Sequence, residues 1–97
     1  MNKLHLHDES VILAALSNYQ RWSIVKAISQ HGPQDNAGIQ KLIGATQPYV
    51  SVAFRTLRKA GILKKENRFF YSLVNPDLLD DIIVAVEVYS RSLRHDG

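Results

Sequence analysis

The chain has 97 residues, enough for one domain, and 45% of them are hydrophobic, which suffices for a globular core with apolar surface left over for an interface. It contains no cysteine, which excludes disulfides, thiolate metal sites and thiol redox sensing. A formal net charge of +3 and a pI near 9.4 permit a polyanionic partner without demanding one. The first residues lack the charged-then-apolar layout of a signal peptide, and the longest apolar run, residues 11–16, is too short to cross a bilayer; a soluble cytoplasmic protein is expected.

The first predicted helix runs from Asp8 to Leu16, with Asp8, Glu9 and Ser10 suited to its start and Val11, Ile12, Ala15 and Leu16 as its apolar face. Ser17-Asn18 reads as a break and a cap. The second helix covers Tyr19 to Gln30, with Ile24, Ala27 and Ile28 as its main apolar stripe and Trp22, Val25 and Ser29 on another side; Gly32 and Pro33 end it. A short third helix spans Asn36 to Ile43, with Asn36 as its cap and Ile39, Leu42 and Ile43 pointing inward, and Gly44 supplies the turn that follows. Thr46 caps the fourth helix and Pro48 fits its first turn. Val50, Ala53, Phe54 and Leu57 form a one-sided stripe, and Ala60-Gly61 closes the helix. The opposite face carries Gln47, Tyr49, Ser51, Val52, Arg55 and Lys59.

Residues 62–74 change period, and Arg68 to Val74 is rich in β-formers. The polar run Lys65 to Arg68 separates two short strands, so a hairpin is predicted. Phe69, Phe70 and Tyr71 alternate along its second strand, and the inward-facing ones are expected in the core rather than stacked on bases. Asn75 and Pro76 open a fifth helix ending near Leu93, with Asp77, Asp80 and Asp81 at its positive end and Arg91 and Arg94 at its negative end. The adjacent Asp80 and Asp81 read as surface charge. The apolar residues of this helix (among them Leu79, Ile82, Ile83, Val86 and Tyr89) exceed one stripe, which points to a subunit partner.

A mainly α chain with five helices and a small hairpin is therefore expected, one domain over 1–97. Two helices joined by a tight turn over 36–60, then a hairpin over 62–74, is the layout of a winged helix-turn-helix. Between Gln47 and Arg68 lie six bases and one acid, whereas Asp77 to Glu87 holds four acids and no base. The amide, hydroxyl and guanidinium groups of Gln47, Tyr49, Ser51 and Arg55, with Val52 among them, suit base edges in a major groove. Thr46, Arg58, Lys59, Lys65 and Arg68 suit phosphates, which position the protein without specifying sequence.

The run from Thr46 to Leu63, with its Arg58-Lys59-Ala60-Gly61-Ile62-Leu63 ending, resembles the recognition helix of the ArsR/SmtB family of repressors. Leu16 to Val25 is similar to that family's L-x-D-x-x-R-x-x-I-L segment, and Arg68 to Leu73 to its wing strand. The resemblance covers roughly residues 13–74. It implies a homodimer built from the first and last helices, with Val11, Ile12, Ala15, Leu79, Ile82, Ile83, Val86 and Tyr89 at the interface, and repression by occlusion of a pseudo-palindromic operator. The family's metal motifs are missing: Asn36-Ala37-Gly38-Ile39 stands where a Cys-x-Cys motif would be, and no histidine lies in the fifth helix before His95. Metal sensing is not carried over, and no cofactor is expected.

His5, His7, Asp8 and His95 could meet if the first and last helices pack together, but flexible termini are the simpler reading. No cysteine nucleophile, Gly-rich phosphate loop or paired-carboxylate motif supports catalysis. The partners expected are double-stranded DNA and a second copy of the chain. Two other readings stay open at this point: a winged helix that recruits a protein, and a DNA-binding dimer with a small-molecule effector between its helices.

Overall fold

The computed structural model describes residues 6–94, with side chains from residue 8 onward. Its elements are α1 (Leu6–Leu16), α2 (Tyr19–His31), α3 (Asn36–Ile43), α4 (Gln47–Lys59), β1 (Leu63–Lys65), β2 (Tyr71–Leu73) and α5 (Pro76–Arg94). This is the predicted order, mostly helical with a two-stranded antiparallel hairpin. His5, His95 and Asp96, and the side chain of His7, lie outside the described residues. No described helix is long and apolar enough to cross a membrane.

One cluster of buried side chains joins the elements. Ile24 and Val25 of α2, Ile39 of α3, Val50 and Leu57 of α4, and Leu63 of β1 are completely or almost completely buried at its centre. The α4 stripe read from the sequence is buried in full: Val50, Ala53, Phe54 and Leu57. Leu42 departs from expectation. It is exposed, leaving Ile39 and the half-buried Ile43 to hold α3.

Local chemistry sets each boundary. Asn18 caps α2, its Oδ1 accepting from the Arg21 amide at 3.0 Å. Arg21 in turn closes α1, donating from Nε to the Ala15 carbonyl at 2.7 Å and from its terminal nitrogen to Ala14 at 3.2 Å. The cap of α3 is Asp35, not Asn36: its carboxylate accepts from the Gly38 amide at 2.8 Å. Both residues are good caps, but the first helical turn begins at Asn36, which puts Asp35 in the extended position a cap requires. Gly44 ends α3 at φ +70°, a left-handed conformation that allows the tight turn into α4. Thr46 caps α4 as expected. Asn75 does not take the extended form of a cap before α5; it is left-handed at φ +51°, which asparagine tolerates better than most residues.

The hairpin pairs Leu63 with Leu73 and Lys65 with Tyr71. An element the sequence reading left as linker joins it. Gln34, between α2 and α3, exchanges backbone hydrogen bonds with Tyr71 at 3.0 and 2.9 Å, so the wing is stitched to the base of the helix-turn-helix.

Helix α5 uses one stripe to reach α2. Leu79 and Ile83 are buried there, Asp80 accepts from the Ser29 hydroxyl, and Glu87 pairs with Lys26 at 2.6 Å. Asp80 is thus a half-buried tether between helices rather than free surface charge. Three residues expected at a subunit interface belong instead to the protomer's own core: Ala15, Leu79 and Ile83. At 100° per residue the stripe 79–83–87 faces α2, and that geometry spends those side chains within one chain. The neighbouring stripe, Leu78, Ile82, Val86, Tyr89 and Leu93, is exposed, as are Val11 and Ile12 of α1.

Three outcomes follow from this packing. Gly44→Ala should destabilise the protein by about 1–2 kcal/mol in urea unfolding, because a Cβ there meets no neighbour and the whole cost lies in the left-handed backbone. Leu57→Ala should cost about 2–5 kcal/mol by the same measurement, since its side chain is wholly buried. The Glu87 carboxyl is held below its ordinary value of 4.5 by the hydrogen bond from Lys26, aided by the charges of Lys26 and Arg91 and opposed by partial desolvation. A folded-state value below the unfolded one means that the pair's contribution is complete above the unfolded value and fades as pH falls through the folded one. In a carboxyl NMR titration the Glu87 midpoint should lie below 4.5 and rise toward it in Lys26→Met.

Candidate nucleic-acid interface

With Val50, Ala53, Phe54 and Leu57 turned into the core, the helical period puts Pro48, Val52, Arg55 and Lys59 on the opposite side of α4. All four are exposed, and Val52 leaves 53% of its surface to solvent. Ser51 and Arg58 flank this row, Ser51 half-buried and Arg58 exposed, and Gln47 and Thr46 are exposed at the helix start. The outward face is therefore Pro48 and Val52 flanked by the short polar groups of Thr46, Gln47 and Ser51 toward the N-terminal end, and cations toward the C-terminal end. Among the described residues the one ion pair is Lys26–Glu87, so no carboxylate engages Arg55, Arg58, Lys59, Lys64, Lys65 or Arg68.

Tyr49, expected among the base-facing residues, is half-buried. Its ring packs against the core and its hydroxyl donates to Asn18 Oδ1 at 2.9 Å. That oxygen also accepts the Arg21 amide, so one asparagine caps α2 and anchors the start of α4. The pairing spans 31 residues and joins a helix cap to a side chain two elements away. A local sequence pattern carries no signal for such a contact.

A second anchor lies at the other edge of the turn. Asn36 Nδ2 donates to the Gln47 carbonyl at 3.2 Å, and Asn36 Oδ1 accepts from Gln40 at 2.7 Å. The residue read as a cap for α3 instead fixes the first turn of α4 against α3. Together Asn18 and Asn36 hold the N-terminal end of α4, the end carrying Gln47 and Ser51, from both sides.

The wing continues from the C-terminal end of α4. Ala60 and Gly61 turn the chain, the Ile62 amide donates to the Leu57 carbonyl at 3.0 Å, and β1 starts at once. Lys64 and Lys65 are exposed on β1, and Arg68 lies in the loop, where Phe69 and Phe70 are also exposed. Only Tyr71 of the three aromatics turns inward, packing its ring 4.2 Å from that of Phe54. The expectation that alternation would carry Phe69 or Phe70 into the core fails because β2 begins only at Tyr71; both residues sit in the loop, where strand alternation does not operate. Lys65 Nζ lies 5.8 Å from the Tyr71 ring centre, a placement that positions the cation without neutralising it.

An open groove of about 840 Å³ separates α2 from the C-terminal half of α5, lined by Trp22, Lys26, Val86, Glu87 and Arg91 among others. Among the described residues no group of three histidine, aspartate or glutamate side chains is gathered as a metal site.

No protein-family model matches the chain, and no curated protein matches its sequence. Solved structures do match its shape. The homodimeric winged helix-turn-helix DNA-binding domain of Mb0332 from Mycobacterium bovis, described as a possible ArsR-family transcriptional regulator, superposes with a TM-score of 0.76 at 18% identity, over 98% of this chain and 94% of that one. Rv0081 of M. tuberculosis gives 0.73 at 19% identity over 96% and 97%. A transcriptional regulator assigned to the MarR family from Enterococcus faecalis gives 0.70 at 18% identity over 98% and 96%. At these identities the likeness is one of fold, and it extends across more than one family of regulators. The chain has the winged helix-turn-helix fold.

Proposed function

We propose that this protein is a sequence-specific DNA-binding transcriptional repressor, acting as a homodimer that occludes a pseudo-palindromic operator, and that it works without a metal, a cofactor or catalysis. The observation that carries the reading is the outward face of α4: exposed Arg55 and Lys59 with Val52 between polar neighbours, free of carboxylates, on a helix whose other face is locked into the core. Gln47, Ser51 and Arg55 offer the donor and acceptor groups that read base edges, and Val52 offers a methyl surface for thymine. Thr46, Arg58, Lys59, Lys65 and Arg68 hold phosphates on either side. The resemblance of residues 46–63 to ArsR/SmtB recognition helices supports the same assignment, as does the DNA-binding domain of Mb0332 among the structures of like shape.

Dimerisation uses the exposed apolar stripe of α5 with α1. Val11, Ile12, Ile82, Val86 and Tyr89 are the members of the presumed interface with surface to offer, joined by Leu78 and Leu93. An apolar stripe of this length on a charged helix is stabilised by a partner that removes it from water. A twofold dimer presents two α4 helices to two half-sites about one helical turn apart, about 34–36 Å.

Selection of the purified protein on a random duplex library tests the reading. Enrichment of a pseudo-palindrome bound more than about a thousandfold tighter than scrambled DNA is the expected result. Failure to enrich any sequence would sink it and favour the recruitment of a protein partner. On the enriched duplex, Arg55→Ala should lose about 1–3 kcal/mol of specific affinity and relax discrimination at one position of each half-site. Lys65→Ala should weaken all sequences alike and flatten the salt dependence. Ile82→Glu should shift the protein toward monomer in sedimentation equilibrium and weaken operator binding without unfolding it, since that side chain is already exposed.

A further inference from the structure

The tip of the wing carries an arrangement that phosphate contact does not use. Its loop is closed by the Glu66 amide donating to the Phe70 carbonyl at 2.9 Å. Within it, Asn67 Oδ1 accepts from the amides of both Phe69 and Phe70 at 3.1 Å, which fixes the backbone at the apex. Phe69 projects from that braced turn with 63% of its surface exposed. The Arg68 guanidinium lies 5.3 Å from the centre of its ring. The single acid of the loop is engaged on β2, where the Glu66 carboxylate accepts from the hydroxyl of buried Ser72 at 3.1 Å.

A large apolar ring held out in water on a braced turn, with a cation beside it that no carboxylate pairs among the described residues, matches one kind of surface. The three cations Lys64, Lys65 and Arg68 call for a polyanion, which a lipid-like or apolar protein surface does not supply. The ring calls for an apolar slot within that polyanion, and the slot DNA offers is the space between two base pairs, reached from the minor groove. The placement agrees. The wing follows α4 with only Ala60 to Ile62 between them, and exposed Lys64, Lys65 and Arg68 follow Arg55, Arg58 and Lys59 along the chain, so a duplex lying on α4 has the loop at its flank.

We propose that Phe69 is a wedge that enters the minor groove beside each recognition helix and partly unstacks one base step, with Arg68 in the groove next to it, so that the protein kinks its operator at both flanks. The inference rests on the DNA-binding reading above and adds a second determinant of operator choice. Steps that unstack easily, such as TA and CA, are favoured under the wing although no hydrogen bond reads them.

The test uses the full chain and the duplex it enriches from the random library, with 2-aminopurine placed at each flanking purine in turn and a fluorophore pair on the duplex ends. The native protein should raise 2-aminopurine fluorescence at one step in each flank and shorten the end-to-end distance. Phe69→Ala should abolish both signals and lower affinity about a hundredfold, the loss of one stacked aromatic in each of two flanks. The salt slope should stay unchanged, because no charge is removed. Arg68→Ala should instead reduce the slope by about 1.8, one cation being lost in each half of the dimer. Phe69→Leu, which keeps an apolar wedge, should restore most of the bend. Tight, specific binding with unchanged fluorescence and bend in Phe69→Ala overturns the wedge and leaves the DNA-binding reading standing. A protein that enriches no duplex overturns both.

Discussion

The presentation of α4 depends on a single act of burial. Val50, Ala53, Phe54 and Leu57 seat one side of the helix against Ile24, Ile39 and Leu63, and the helical period then leaves Val52, Arg55 and Lys59 no direction except outward. Each buried side chain of this size contributes about 1.5–3 kcal/mol from leaving water. The polar face needs no stabilising contacts of its own, and its residues are free to be chosen for a ligand.

Burial sets which side faces out but not how firmly the helix is held along its length. That role falls to two asparagines at the start of α4. Asn18 binds the Tyr49 hydroxyl and Asn36 binds the Gln47 carbonyl, so the end of the helix that offers amide and hydroxyl groups is anchored from α2 on one side and α3 on the other. The far end continues into the wing, which is itself tied back through the backbone pairing of Gln34 with Tyr71. Helix and wing are thus held to one frame, and the distance between what α4 touches and what the loop at Arg68 and Phe69 touches is set by the fold. A fixed separation between helix and wing is what the proposed contact with two neighbouring grooves requires.

Helix α5 divides its surface in a similar way. Its 79–83–87 stripe meets α2 through Leu79, Ile83 and the Glu87–Lys26 pair, and the Asp80–Ser29 hydrogen bond adds a directional tether. The adjoining stripe from Leu78 to Leu93 is left to water in one protomer. That surplus agrees with the proposed dimer, and the assignment of individual residues follows from which stripe the tether to α2 consumes.

Read alone, the sequence determined the element order, the helix period of α4, the Thr46 and Asn18 caps and the Gly44 turn. These depend on spacing and on interactions within a few residues, which the chain carries locally. It also determined that α5 holds more apolar surface than one stripe can use. Tertiary structure decided matters between distant residues or between equivalent local choices. Tyr49 turned inward because Asn18, 31 residues away, offered its hydroxyl a partner. Asp35 rather than Asn36 capped α3, since the register of one turn selects between neighbouring caps. Ala15, Leu79 and Ile83 went to the protomer's own core; Phe69 and Phe70 stayed outside it, because side-chain alternation sorts residues only within a strand and β2 starts only at Tyr71. Periodicity states that a residue has a face; only the packed chain states what that face meets.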